Sequence, residues 1–237
     1  MAVETSAEEK EIPQRTINIK LIRHGPKDES GLLSSEAQEL IQQFASSLPI
    51  PQTGYLFYSS DIQRSISTAD IVRSSLAIHL PVKVDELLSE APLTDEKISE
   101  LGLDGGRWLL LNLLTDKLPS IEAFAGKTAL FIKNLKNDLF DKKEGSNIIA
   151  VSHVPPIMAF LGFVVADSVS KNEIDLSVKD RIHTIFDGGF PKPLEGFDVN
   201  MVGENMTLSV RGFVFKVSED LLNRLIERYN TEFGLDK

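Results

Sequence analysis

The chain has no cysteine among its 237 residues, which excludes disulfides, iron–sulfur clusters, thiolate zinc sites and cysteine nucleophiles together. It also lacks any apolar run near the roughly 18 residues needed to span a bilayer. Its best candidate, LLLNLL at Leu109–Leu114, is short and broken by Asn112, so no membrane partner is expected. Positive charge is scarce: 25 Lys plus Arg stand against 35 Asp plus Glu, a formal net charge of −10. That balance disfavours nucleic acid as a partner but leaves room for a local basic pocket that binds an anion. Residues 1–15 are acidic and carry no apolar segment, so they read as a solvated tail rather than a secretory or transit peptide, and cytoplasmic localisation is the default expectation.

With 42% hydrophobic and 25% charged residues, the remainder reads as one domain over 16–237, with excursions at about 91–118 and 167–205. TINIKLI at Thr16–Ile22 is β-branched and apolar, as a buried strand requires, and it runs directly into Arg23, His24 and Gly25. Ser35 and Gln38 have capping-box spacing ahead of a helix whose apolar positions are Ala37, Leu40, Ile41, Phe44 and Leu48. YLFYS at Tyr55–Ser59 repeats the strand pattern, and Ile62, Ile66, Ala69 and Leu76 mark one face of a second helix. A short strand at Val82–Val84, a helix after Pro119 and a strand NIIAVS at Asn147–Ser152 continue an α/β rhythm. The 167–205 stretch, including the alternating EIDLSV, reads as short strands and loops. TLSVRGFVFKV at Thr207–Val217 reads as a strand, and Ser218 as the cap of a last helix carrying Leu221, Leu222, Leu225, Ile226 and Tyr229.

Three strand ends deliver polar residues: Arg23-His24-Gly25, the SSDIQRS run at Ser59–Ser65, and Ser152-His153. In an open α/β sheet such ends converge at one rim, where ligands sit. Two histidines and two arginines there suit phosphate chemistry, because guanidinium forks bind phosphoryl oxygens and an imidazole can attack phosphorus.

These motifs resemble the histidine phosphatase superfamily, the phosphoglycerate-mutase-like proteins, and specifically its compact branch. The resemblance runs from Ile17 to Leu161 through LIRHG, LSSEAQEL, SSDIQRSISTA, LLSE and VSH. It implies a three-layer α/β/α fold with a mostly parallel central sheet, and a metal-independent phosphomonoesterase that hydrolyses a small phosphorylated metabolite with no cofactor. By the same resemblance His24 is the nucleophile that becomes phosphohistidine, and Arg23 and Arg64 bind phosphoryl oxygens. His153 stabilises charge on the transferring group, and Glu90 at the end of LLSE protonates the leaving alcohol, with Glu86 as the competing carboxylate.

The chain departs from the family pattern at Ser30, where an asparagine is usual, and at Val154, where a glycine is common and where Pro155 and Pro156 follow. Ser30 can still donate one hydrogen bond to phosphate, and a proline is tolerated in the first turn of a helix. Two other readings follow from the same residues: phosphoglycerate-mutase-like transfer back to substrate, and a noncatalytic module that binds a phospho-ligand or a protein. His79 and His183 read as exposed or capping residues, Trp108 as part of a packed segment, and LLLNLL as either core or an interface in a homo-oligomer.

Overall fold

A computed structural model describes residues 15–51, 53–89, 121–140, 145–170, 174–187, 190–233 and 235. Glu90 and Trp108, with the whole of the first excursion and its LLLNLL run, lie outside the described residues. Seven strands form one sheet: β1 (Thr16–Arg23), β2 (Leu56–Ser59), β3 (Val82–Val84), β4 (Ser146–Ser152), β5 (Gly196–Val202), β6 (Asn205–Val210) and β7 (Phe213–Lys216). Their spatial order is β3-β2-β4-β1-β5-β6-β7. The pairings among β3, β2, β4 and β1 are parallel, and those along β1, β5, β6 and β7 are antiparallel, so the sheet is mixed.

Alternation along the central strands builds a core on each face. Ile17, Ile19 and Leu21 of β1 join Ile148 and Ala150 of β4 on one side, whereas Ile22, Ile149 and Val151 join the other. Helices α1 (Ala37–Ser47) and α2 (Gln63–Ser75) cover the second side through Ala37, Ile41, Ala45, Ala69 and Val72. The first side is covered by α3 (Ile121–Phe140), α4 (Val154–Ser168), α5 (Leu176–Ile185) and α6 (Glu219–Phe233). This is the three-layer α/β/α arrangement. Helix α4 is buried from Pro155 to Ala166, as a helix apolar on all sides must be.

Four local expectations are corrected. The Ser35/Gln38 capping box does not form: α1 opens after Glu36, which is already helical in backbone and makes no side-chain cap. On α2 the buried residues are Ser65, Thr68, Ala69 and Val72, while Ile62, Ile66 and Leu76 are half-buried; small polar groups take the inner face because it looks toward the strand ends. The alternating EIDLSV is no strand: Asp175 accepts hydrogen bonds from the Ser177 and Val178 amides and caps α5. TLSVRGFVFKV is two strands rather than one. Arg211 and Gly212 both have positive φ (44° and 83°), and Val210 pairs with Phe213, the geometry of a two-residue hairpin turn that matches strand twist. Arg211 adopts this conformation despite its Cβ, and its guanidinium pairs with Glu195 at 2.7 Å and lies over the Phe186 ring.

Candidate active site

The parallel pairing of β1 with β4 puts Arg23 beside Ser152 in register, so the next residues of both strands, His24 and His153, emerge at one rim. Both rings are buried, with centroids 5.2 Å apart. Arg64, near the start of α2, spans them: its Nε lies 3.0 Å from His24 Nε2 and its Nη2 lies 3.3 Å from His153 Nδ1. Arg23, half-buried at the end of β1, donates from Nη1 to the Pro191 carbonyl at 2.9 Å.

Hydrogen bonding decides the tautomer of each ring. A guanidinium only donates, so His24 Nε2 and His153 Nδ1 both present lone pairs to Arg64. His24 Nδ1 then carries the hydrogen and donates to the Gly25 carbonyl at 2.7 Å. His153 Nε2 donates to Ser60 Oγ at 2.8 Å, with Ser65 Oγ at 3.3 Å. Burial lowers the His24 pKa to about 4, helped by the Arg64, Arg23 and Lys27 charges and opposed by the Gly25 carbonyl. Burial lowers that of His153 to about 2, again with Arg64, His24, Arg23 and Lys127 adding to the effect. Both rings are neutral at physiological pH.

The backbone around the rings is held as firmly. The Gly25 amide donates to Thr68 Oγ1, which donates in turn to the Arg64 carbonyl, so α2 is tied to the turn after β1. A Cβ at Gly25 would lie 2.8 Å from Ile41 Cδ1, which explains a glycine at this crowded step. Helix α4 opens directly after His153, with Pro155 and Pro156 in its first turn. Two of its leading residues therefore carry no N–H, and the buried helix start has fewer orphan donors to satisfy.

The structure brings together Arg23, His24, Arg64 and His153. Ser30 is not with them: it is exposed, and its hydroxyl donates to Asp28 Oδ1 at 2.6 Å in a local turn. Asp28 has the short-range donors that make Asx turns, so the hydroxyl is committed there. His79 is exposed, and His183 is half-buried in the last turn of α5. Sequence reasoning missed Ser60, Ser65 and Thr68 as supports of the site. Arg64 and Thr68 are four apart on one helix, a spacing that places both on one face, but nothing local reveals that His153, far along the chain, packs against it.

Lys127 of α3 is also buried, and its ammonium donates to the Ser89 carbonyl at 3.1 Å. Ser89 in turn donates to Asp61, so the residues after β2 and those after β3 are joined close to Ser60. Two surface cavities of about 370 and 390 Å³ lie elsewhere, over the open polar face of β1 and β5, and share Lys20, Asp198 and Ser209.

Two neutral buried imidazoles have a consequence for stability. Their folded pKa values lie below the ordinary 6.5, so the unfolded chain binds more protons as pH falls. The contribution is complete above pH 6.5; that of His24 is lost as pH falls toward about 4, and that of His153 continues to fall toward about 2. The expected slope is about 1.4 kcal/mol per pH unit for each ring. Urea unfolding across this range should show it, with a shallower slope for His153→Gln; identical slopes would remove His153 from the account.

No protein-family model and no curated protein matches the sequence. Solved structures do match in fold. A phosphoglycerate mutase from Bacillus anthracis is 15% identical, with 92% of this chain and 99% of that one covered and a TM-score of 0.54. Mycobacterial hydrolase 1 is 16% identical over 84% and 99% of the two chains, with a TM-score of 0.57. A mycobacterial glucosyl-3-phosphoglycerate phosphatase, solved with VO3, is 17% identical over 83% and 98%, with a TM-score of 0.52. The chain thus has a phosphoglycerate-mutase-like fold, with its two buried histidines side by side at one rim of the sheet.

Proposed function

We propose that the protein is a metal-independent phosphomonoesterase of the compact histidine-phosphatase kind, acting on a small phosphorylated metabolite through a phosphohistidine at His24. The observation that carries this reading is the His24 tautomer. The Gly25 carbonyl takes the Nδ1 hydrogen, leaving an Nε2 lone pair that accepts from the Arg64 guanidinium, with the Arg23 charge acting on the same ring. A neutral nitrogen that needs no base, beside fixed cations, is what attack on a phosphoryl group requires. In the first step the Nε2–P bond forms as the P–O bond to the alcohol breaks; in the second, water displaces the imidazole and inorganic phosphate leaves. Arg23 and Arg64 stabilise the equatorial oxygens in both steps, and His153 supports the same charge. Incubating the protein with phenyl phosphate in EDTA, quenching rapidly and locating phosphate on His24 by mass spectrometry tests this reading. An unmodified His24 during measured turnover would overturn it.

Glu90 is the proposed general acid for the departing alkoxide. Glu90→Gln should slow phosphorylation of His24 by about 10²–10⁴-fold with an alkyl phosphate. With 4-nitrophenyl phosphate, whose phenolate leaves without a proton, the loss should be much smaller. Single-turnover kinetics isolate this step from hydrolysis of the phosphohistidine, in which Glu90 could also activate water. Equal losses for both substrates, or a selective alkyl defect only in Glu86→Gln, would reassign the role.

A further inference from the structure

We propose that capture of a doubly charged tetrahedral anion by this site takes up one proton, held by the His24–His153 pair. The inference rests on the phosphoryl-binding reading above and adds the protonation state in which the site takes its ligand.

Among the described residues the free site presents two guanidinium groups and two imidazole lone pairs, since Arg64 donates to His24 Nε2 and to His153 Nδ1. A dianion brings acceptors only. A phosphoryl oxygen facing a ring lone pair is repelled, whereas one facing a ring N–H makes a charge-assisted hydrogen bond. When the dianion displaces Arg64 from a lone pair, that lone pair is covered either by a tautomer shift, with Ser60 turning to donate to His153 Nε2, or by an added proton. Only the added proton also sets a positive charge against the dianion and keeps the His153 donation to Ser60. That proton comes from solvent, and no other bond is made or broken: a neutral ring becomes an imidazolium beside the dianion.

The surrounding charges agree. His24 is faced by Arg23 on its own strand, Arg64 of α2 and Lys27, and His153 by the same two arginines, His24 and Lys127 of α3. These cations help to keep both rings neutral when the site is free, and a dianion among them reverses the local field. A second proton is opposed by the first, because the ring centroids are only 5.2 Å apart, so the two rings titrate as one coupled unit. The microstate with the proton on His153 Nδ1 is the one that reacts. It leaves His24 Nε2 free to attack, and Ser60 still accepts the Nε2 hydrogen of His153.

Sulfate is the probe, since it is a tetrahedral dianion that holds no proton near neutrality and is not turned over. Titration calorimetry above neutral pH, in buffers of different ionisation enthalpy, should show close to one proton absorbed per sulfate. The association constant should fall about tenfold per pH unit. The double variant His24→Gln/His153→Gln should bind sulfate through Arg23 and Arg64 with no proton uptake and little pH dependence. Nitrogen NMR of the wild-type protein gives a reading that does not depend on that variant folding: one imidazole lone-pair signal should convert to a protonated one on sulfate addition. Sulfate that fails to bind, binds without a proton, or takes up a proton equally in the double variant would overturn the inference. Phosphohistidine trapping judges the chemistry separately: success there with proton-free sulfate binding defeats this inference alone, and failure there with proton-coupled binding defeats only the enzymatic reading.

Discussion

His24→Ala should abolish phosphoenzyme formation and lower phosphate release by on the order of 10⁴–10⁶-fold, the scale on which a covalent nucleophile contributes. No other described group can replace it. His153 offers an Nδ1 lone pair, but its ring is fixed to Ser60 and Ser65 from the opposite nitrogen. The ring of His24 is buried and bonded to the Gly25 carbonyl, so its removal should also cost about 1–3 kcal/mol of stability. Circular dichroism and urea unfolding would show a folded protein at working temperature. Turnover within tenfold of wild type in that folded variant would remove His24 from the nucleophile role.

Arg64→Lys is expected to keep the charge and lose the function. The guanidinium reaches His24 with Nε and His153 with Nη2 at once, a span that a single ammonium point cannot reproduce. The loss of an aligned donor to a transferring phosphoryl group predicts a fall of about 10²–10³-fold in kcat/KM, with kcat lower as well as KM higher. The fold should persist, because Thr68 still bonds to the residue-64 carbonyl. An unchanged kcat/KM in Arg64→Lys would mean that the guanidinium serves only to orient the rings. The contrast between the two variants is informative: His24→Ala should leave vanadate or phosphate binding measurable, whereas Arg64→Lys should weaken it.

The chain alone determined most of the architecture that positions the site. TINIKLI and NIIAVS are β-branched and apolar enough that two buried strands were legible, and a histidine follows directly on the end of each observed strand. Short-range physics also marked α1, α3 and the Ser218 cap of α6, whose hydroxyl accepts from the Leu221 amide. Two local patterns were compatible with more than one structure. EIDLSV alternates like a strand, yet Asp175 caps a helix there, and TLSVRGFVFKV hides a turn because arginine rarely takes positive φ.

Only the tertiary structure decided how the polar residues act. Ser30 is recruited by Asp28 two residues away, a choice set by loop geometry that motif position does not encode. The inner face of α2 is polar because it meets His153 across 88 residues of sequence, as the Ser65 contact shows. The tautomers of both rings follow from one arginine lying between them. Residue identity could nominate His24, Arg64 and His153, but which nitrogen carries each proton depends on donors and acceptors that come together only when β1, β4 and α2 pack.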